Sequence, residues 1–315
     1  MQRQSLARRR PRIRGGGLSE KRGGGLSGET WLISFILCIL VTISARGSAQ
    51  TADTQPLPDA TAFAAEVKAR LRTDRALQAQ YTFLERREEI EVSKLGKVKT
   101  GSVKEYEVYP SIVPGNTYKR LIKIDSRPLD PAQLAKNDEK HRRDVLAELN
   151  ESGDARQKRE RENAKLRAEE RQVIDEIFSL YDIRIVGRDT FNGYPTIVAT
   201  LEPRPKYAPK SDDVRVMKKF RVRAWVHEAD YQVVKIDAEA IDDLTFGWGI
   251  IGRLHKGARA VFERRKVNDE VWLPARVRVI ATGRAVMFRK FAIDSVTEWF
   301  DYKKFDVRTE ETYAH

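Results

Sequence analysis

A run of two-residue alternation beginning at Tyr181 constrains this chain more than any other feature. The segments YDIRIVGRDTF (Tyr181–Phe191) and PTIVATLEP (Pro195–Pro203) flank Asn192-Gly193. Successive side chains of a strand point to opposite faces, and Asn-Gly suits the two positive-φ positions of a tight hairpin turn. The pair therefore reads as an antiparallel hairpin. FRVRAWV and YQVVKIDAEAI form a second hairpin about His227–Asp230, with Phe220, Val222, Ala224 and Val226 on one face of its first strand. Arg221, Arg223, Trp225 and His227 take the other. ARAVFERRKV, VWLPARVRVIAT, RAVMFRKFAIDSVTEWF and YKKFDVRTE continue the strand pattern toward the C-terminus.

Upstream, YTFLERREEIEV, VKEYEVYPSIV and NTYKRLIKI are separated by Leu95-Gly96 and Pro114-Gly115, the punctuation of a meander. Asp59 is placed to cap a short helix in which Phe63, Val67 and Leu71 recur every four residues. From Asp130 to Tyr181 the chain is long and helix-prone, and 11 of the 16 residues from Arg156 to Arg171 are charged, seven of them basic. This arm reads as a solvated helix, or as a handle for an anionic membrane surface or a partner. Its end is amphipathic, since Val173, Ile174, Ile177, Phe178 and Tyr181 form pairs that can dock on a sheet. About ten strands and two helical segments imply a mainly β (α+β) fold, a large curved antiparallel sheet with helices covering one face.

The formal net charge of +13 resembles a nucleic-acid signal until it is located. Residues 1–49 hold nine basic groups against Glu20 and Glu29, so more than half of the excess lies there. They read as a basic leader and export signal: the apolar run WLISFILCILVTI (Trp31–Ile43) precedes the small residues Gly47-Ser48-Ala49. At 13 residues the run is shorter than the roughly 20 a spanning helix needs, which leaves an uncleaved inner-membrane anchor as the alternative. The repeated RGGGLS (Arg14–Ser19, Arg22–Ser27) leaves open a translation start further in. Cys38, the single cysteine, lies inside the apolar run. A mature chain has no cysteine, hence no disulfide and no thiol chemistry. The expected organisation is a signal over 1–49, a linker over 50–58, and one domain over 59–315 with an inserted charged arm at about 130–180. The expected location is the periplasm, with no nucleic-acid partner.

No catalytic pattern is present. His141, His227, His255 and His315 show no metal-ligand spacing, and no nucleophile elbow, phosphate loop or dinucleotide fingerprint occurs. Asp237, Glu239, Asp242 and Asp243 are close in sequence but read as solvated strand-exterior carboxylates. The chain is expected to be no enzyme and to use no cofactor or metal.

Three runs, GRDTFNGYPTIVATLEPRP, RAWVHEADYQVVKIDAE and VNDEVWLPARVRV, together resemble the outer-membrane lipoprotein-sorting (LolA/LolB-like) superfamily, in its uncharacterised bacterial branch. The resemblance covers about Asp182–Phe305. It implies an unclosed β-barrel whose helices cover a hydrophobic cavity that holds acyl chains. Within it, TFGWGIIGRLHKG (Thr245–Gly257) sets Phe246, Trp248, Ile250, Ile251 and Leu254 among glycines that permit several backbone conformations. These residues read either as a flap across the cavity mouth or as a plug at the barrel end. With Trp225, Phe262 and Met287 they make up the candidate ligand-binding set. The expected function is non-catalytic binding or carriage of a lipid or lipoprotein acyl chain; the alternative is a periplasmic protein-interaction or sensor module, with a membrane protein or the envelope surface as partner.

Overall fold

The computed structural model describes residues 56–71, 78–92, 98–110, 117–246, 252–285 and 289–305. The leader with Cys38, and the candidate residues Trp248, Ile250, Ile251 and Met287, lie outside the described residues, as does the side chain of Phe246. The strands are β1 (Tyr81–Val92), β2 (Val98–Pro110), β3 (Thr117–Ile124), β4 (Arg127–Pro128), β5 (Tyr181–Phe191), β6 (Tyr194–Pro203), β7 (Phe220–His227), β8 (Val233–Ala240), β9 (Leu244–Phe246), β10 (Gly252–Leu254), β11 (Arg259–Val267), β12 (Val271–Ala285) and β13 (Arg289–Lys304). The described helices are α1 (Ala60–Arg70), α2 (Pro131–Leu149), α3 (Gly153–Leu180) and α4 (Asp212–Met217).

All 13 strands belong to one antiparallel sheet in the order β4-β3-β2-β1-β13-β12-β11-β8-β7-β6-β5, unclosed, with the small β9–β10 hairpin attached to β12. The Asn192-Gly193 turn has φ of 51° and 85°, as that dipeptide predicts. Asp125-Ser126 and Asn268-Asp269 make equivalent positive-φ turns without glycine, which short polar side chains tolerate better than most residues.

Local side chains start each helix. Asp59 Oδ1 accepts from the Ala62 amide at 2.8 Å, Asp130 Oδ1 from Ala132 at 2.7 Å, and Ser152 and Ser211 hydroxyls from Ala155 and Val214 at 3.3 and 3.2 Å. The arm expected as one helix-prone stretch is two helices, because Asn150 caps the first and Ser152 begins the second. The described residues hold four helices and 13 strands where two helical segments and about ten strands were expected, since short elements such as α4, β4, β9 and β10 span too few residues to show a period.

The topology explains the arm. β4 and β5, consecutive strands in the chain, occupy opposite ends of the strand order, and α2 and α3 are the crossover that joins them. A strand order of this length is about 48 Å across at roughly 4.8 Å per strand. At 1.5 Å per residue the 28 residues of α3 supply about 42 Å. The charged helices are therefore a span between two sheet edges.

Register assigns the faces. The pairings Phe262↔Ile236, Ile236↔Ala224, Ala224↔Ala199 and Phe262↔Val277 put these residues on one side, continued by Thr297 and Trp299 of β13 and by Phe83 and Val108 of β1 and β2. This inner face is apolar from β6 to β13 and over the first residues of β1. Over β5–β8 it is covered by α1, α3 and α4: Leu180, Val214 and Met217 pack with Val222, Ala238 and Ala260, and Phe63 and Val67 pack with Ile197, Val226 and Val233. Helix α2 lies by β3 instead, where Tyr118 stacks on His141 and Arg120 pairs with Asp138 at 2.9 Å.

Candidate binding surface

Toward β1, β2 and β13 the inner face changes its cover. The buried cluster of Tyr81, Phe83, Val108, Phe262, Leu273, Val277 and Trp299 contains strand residues alone, with Tyr106, Val271 and Tyr302 half-buried against it. Phe262, a candidate from the sequence, belongs to it. Aromatic and branched side chains on alternate positions of adjacent strands make this surface, and among the described residues no helix joins it.

Next to it the same face turns polar. Tyr81, Phe83, Glu85, Arg87 and Glu89 are alternate residues of β1, so charged groups follow the two aromatics along one side. Glu85 is only 3% exposed. Its Oε2 accepts from Trp299 Nε1 at 3.0 Å and from Lys119 Nζ at 2.6 Å, and Arg87 stands 4.0 Å away. A buried carboxylate needs such partners, because an unsatisfied one is strongly disfavoured. The network continues: Arg87 donates to Glu89 at 3.1 Å, Lys104 lies 3.8 Å from Glu89, and the Tyr106 hydroxyl donates to Glu89 at 3.4 Å under the Arg87 guanidinium. Burial opposes the charge of Arg87, but Glu85 and Glu89 outweigh it and raise its pKa above the ordinary value; burial likewise raises that of Tyr106. Sequence reasoning passed over these residues. The signal was present in β1 as a switch from aromatic to charged side chains at constant spacing.

Trp225, another candidate, alternates with Ala224 and so lies on the outer face, away from Phe262. There Trp225 Nε1 donates to Asp189 at 2.9 Å, Trp272 Nε1 donates to Asp230 at 2.9 Å, and the two indoles pack with Val198 and Val234. Lys235 lies over the rings of Trp225 and Phe191 at 4.9 and 5.3 Å, and Lys266 over Trp272 and Tyr194 at 5.8 Å. Burial disfavours ionised Asp230, yet hydrogen bonds from Trp272, His227 and the Gln232 amide outweigh it and hold the pKa below the ordinary value. This is a second, smaller core, built from aromatic rings roofed by lysine stems.

Asp237, expected to be solvated, is buried on that outer face. Burial pushes its pKa up to about 6 despite Arg259, Arg223 and Lys235. Its cross-strand partners are Val261 and Arg223, and Arg259 reaches within 3.5 Å of the carboxylate.

Leu254 is half-buried against Ala240, Leu244, Ala258 and Ala281. Phe246, Gly252 and Ala285 stand in one backbone row. β10 reaches β12 because position 283 is glycine: a Cβ there would meet the Arg253 carbonyl oxygen at 2.3 Å and the Phe291 ring at 2.6 Å. The candidate set is thus divided, with Phe262 inside, Leu254 at the β10 corner and Trp225 outside.

Among the described residues no group of three or more His, Cys, Asp or Glu side chains is arranged to hold a metal ion, and no helix is long and apolar enough to cross a membrane. His227 Nδ1 lies 2.8 Å from Asp230 Oδ1 within the outer aromatic cluster, His141 stacks on Tyr118, and His255 lies 3.8 Å from Asp243.

No family model matches the chain, and no curated protein matches it. Among solved structures it is similar to a DUF1329 family protein from Desulfovibrio piger, with TM-score 0.26 and 13% identity over 80% of this chain and 96% of that one. It is also similar to a putative outer membrane lipoprotein-sorting protein domain from Vibrio parahaemolyticus, with TM-score 0.27 and 10% identity over 80% and 94%. A third neighbour is the MucA/MucB complex of Pseudomonas aeruginosa, with TM-score 0.18 and 13% identity over 76% and 94%. Likenesses at so low a TM-score carry no argument about what this chain binds.

Proposed function

We propose that this chain is a non-catalytic binding protein of the bacterial periplasm that takes up an acyl chain of a lipid or lipoprotein against the inner face of its open sheet. The observation that carries the reading is the unclosed sheet with an apolar inner face, helix-covered over β5–β8 and strand-lined over β1, β2, β11 and β13. Burying an acyl chain yields about 0.8 kcal/mol per CH₂, so such a face binds without special chemistry. The strand-lined cluster is closed on itself, and an entering chain parts its half-buried rim, Tyr106 and Tyr302, from the buried members. Phe262 lines the path, and Leu254 lies at its end. The export signal over 1–49 delivers a single domain, 59–315, to the periplasm.

Protein purified from the periplasmic fraction without detergent is extracted with organic solvent and the extract examined by mass spectrometry. Co-purified lipid at a fixed ratio, and saturable uptake of a fluorescent fatty acid by the emptied protein, are the expected results. A lipid-free protein that also ignores the probe refutes the reading.

A protein-interaction module is the second reading, favoured by the exposure of Leu146, Leu149 and Leu166 on the crossover helices. Replacing these three leucines with Gln leaves probe uptake unchanged under the first reading, because none of them belongs to the buried clusters of the inner face.

A further inference from the structure

The crossover from β4 to β5 is held at its two ends by different forces. Its C-terminal end is apolar: Leu180 is fully buried, and Val173, Ile177 and Phe178 pack with the clusters of the inner face. Its first helix, α2, has no buried residue and supplies none to the buried clusters. The side-chain contacts that join α2 to β3 are polar and come from two residues one turn apart. Asp138 takes the Arg120 guanidinium through both oxygens at 2.9 Å and accepts from the Tyr118 hydroxyl at 3.3 Å, and His141 stacks on the Tyr118 ring at 3.4 Å. From Arg142 to Gln172 no residue is buried, and Leu146, Leu149 and Leu166 within that stretch are exposed.

This polar latch sits near the end of the strand order. The pairs Arg120↔Glu107 and Glu107↔Leu84 place Arg120 on the outer face, and β3 has β2 on one side and only the two residues of β4 on the other. Leu121, next to Arg120, is the register partner of Tyr106, part of the half-buried rim of the strand-lined cluster. The Leu129 amide donates to the Ile122 carbonyl at 2.9 Å and ties the start of α2 to the sheet, beside a cleft of about 470 Å³ lined by Ile124, Pro128, Leu129 and Gln133. From this arrangement we propose that α2 is a strap on the free edge of the sheet. Its latch on Tyr118 and Arg120 opens, the helix swings about Leu129, and β3, left with β2 and β4, lets the Tyr106 rim part for an entering chain. The device rests on the acyl-chain reading and adds what controls entry. Partly exposed polar contacts open far more often than a buried apolar anchor, so α2 moves while Val173–Leu180 stays docked.

Asp138→Asn deletes the charged contact and leaves Arg120 with Glu107 at 3.1 Å, so β3 keeps its own pairing. Amide hydrogen exchange in α2 is expected to rise about three- to tenfold, the scale of one partly exposed charge-assisted hydrogen bond, with Val173–Leu180 unchanged. The initial rate of fluorescent fatty-acid uptake rises with it while the Kd stays the same, because a strap alters the path and not the bound state. The opposite change is Tyr118→Cys with His141→Cys in a Cys38→Ser chain, which has no other cysteine. Joined by a short bis-maleimide, that chain takes up the probe at least about tenfold more slowly than before joining. Unchanged α2 exchange in Asp138→Asn overturns the latch, whatever ligand the chain takes. Faster exchange with a native uptake rate, or undiminished uptake by the joined chain, overturns the strap while the acyl-chain reading stands. A Kd that shifts along with the rate shows a deformed binding face and overturns the strap as well. Failure of the native chain and every variant to take up the probe overturns the acyl-chain reading and the role of α2 in entry together.

Discussion

Trp272 offers a quantitative check on the outer core. Its side chain is 3% exposed, meets Tyr194 edge-on at 5.0 Å and donates its indole N–H to Asp230 at 2.9 Å. An aromatic side chain buries roughly 150–250 Å², worth about 4–6 kcal/mol at about 25 cal/mol per Å². Partial collapse of the vacated site reduces this, and measured losses for Trp→Ala in cores are about 3–5 kcal/mol. Trp272→Ala is expected to lose that amount, a large share of the roughly 5–15 kcal/mol that stabilises a domain. With a urea slope near 2.5 kcal/mol per molar, the midpoint falls by about 1–2 M. Trp272→Phe keeps most of the ring area and deletes the donor to Asp230, which isolates the hydrogen bond at about 1–2 kcal/mol. Urea titration followed by far-UV circular dichroism reads both variants, since the fluorescence of Trp272 is lost with the residue. A Trp272→Ala loss below about 1 kcal/mol at unchanged slope refutes the assignment of this ring to a core. It would mean that the lysine-roofed cluster contributes little to folding.

Two further outcomes follow from buried groups elsewhere. Asp237 has a folded pKa raised from the ordinary 3.8 to about 6, so between those values the folded state holds a proton the unfolded state has lost. Stability therefore falls as pH rises through that window, by on the order of 3 kcal/mol in total, and the cost is fully present above pH 6. Asp237→Asn removes the titration, and its stability relative to the native chain should climb from pH 4 to pH 6 and then level off; a difference independent of pH contradicts this. On α3, Leu180 is fully buried and Leu166 is exposed, so Leu180→Ala should cost about 2–5 kcal/mol and Leu166→Gln less than about 0.5 kcal/mol in chemical denaturation. Comparable losses from the two would show that the outer part of the crossover is packed. Deleting Arg156–Arg171 outright is a different experiment, because it shortens the span between β4 and β5.

Much of this architecture was legible in the amino-acid order. Period-two alternation defined which residues of β7 share a face, Asn192-Gly193 set a hairpin with two positive φ angles, and Asp59 marked the start of α1. These are local properties, fixed by backbone sterics and by hydrogen bonds spanning a few residues. Alternation says that a side chain lies in or out, and not what it meets. That was decided by pairings across the whole chain. The last strand, β13, inserts between β1 and β12 and joins the two halves of the sheet, which brings Trp299 to Glu85, 214 residues away. The same non-local register sets Lys104 beside Arg87, brings Arg223 and Arg259 to Asp237, and turns a charged arm into a bridge between sheet edges. Strand partners are chosen by summed burial and hydrogen bonding over the assembled sheet, and no window of sequence contains that sum.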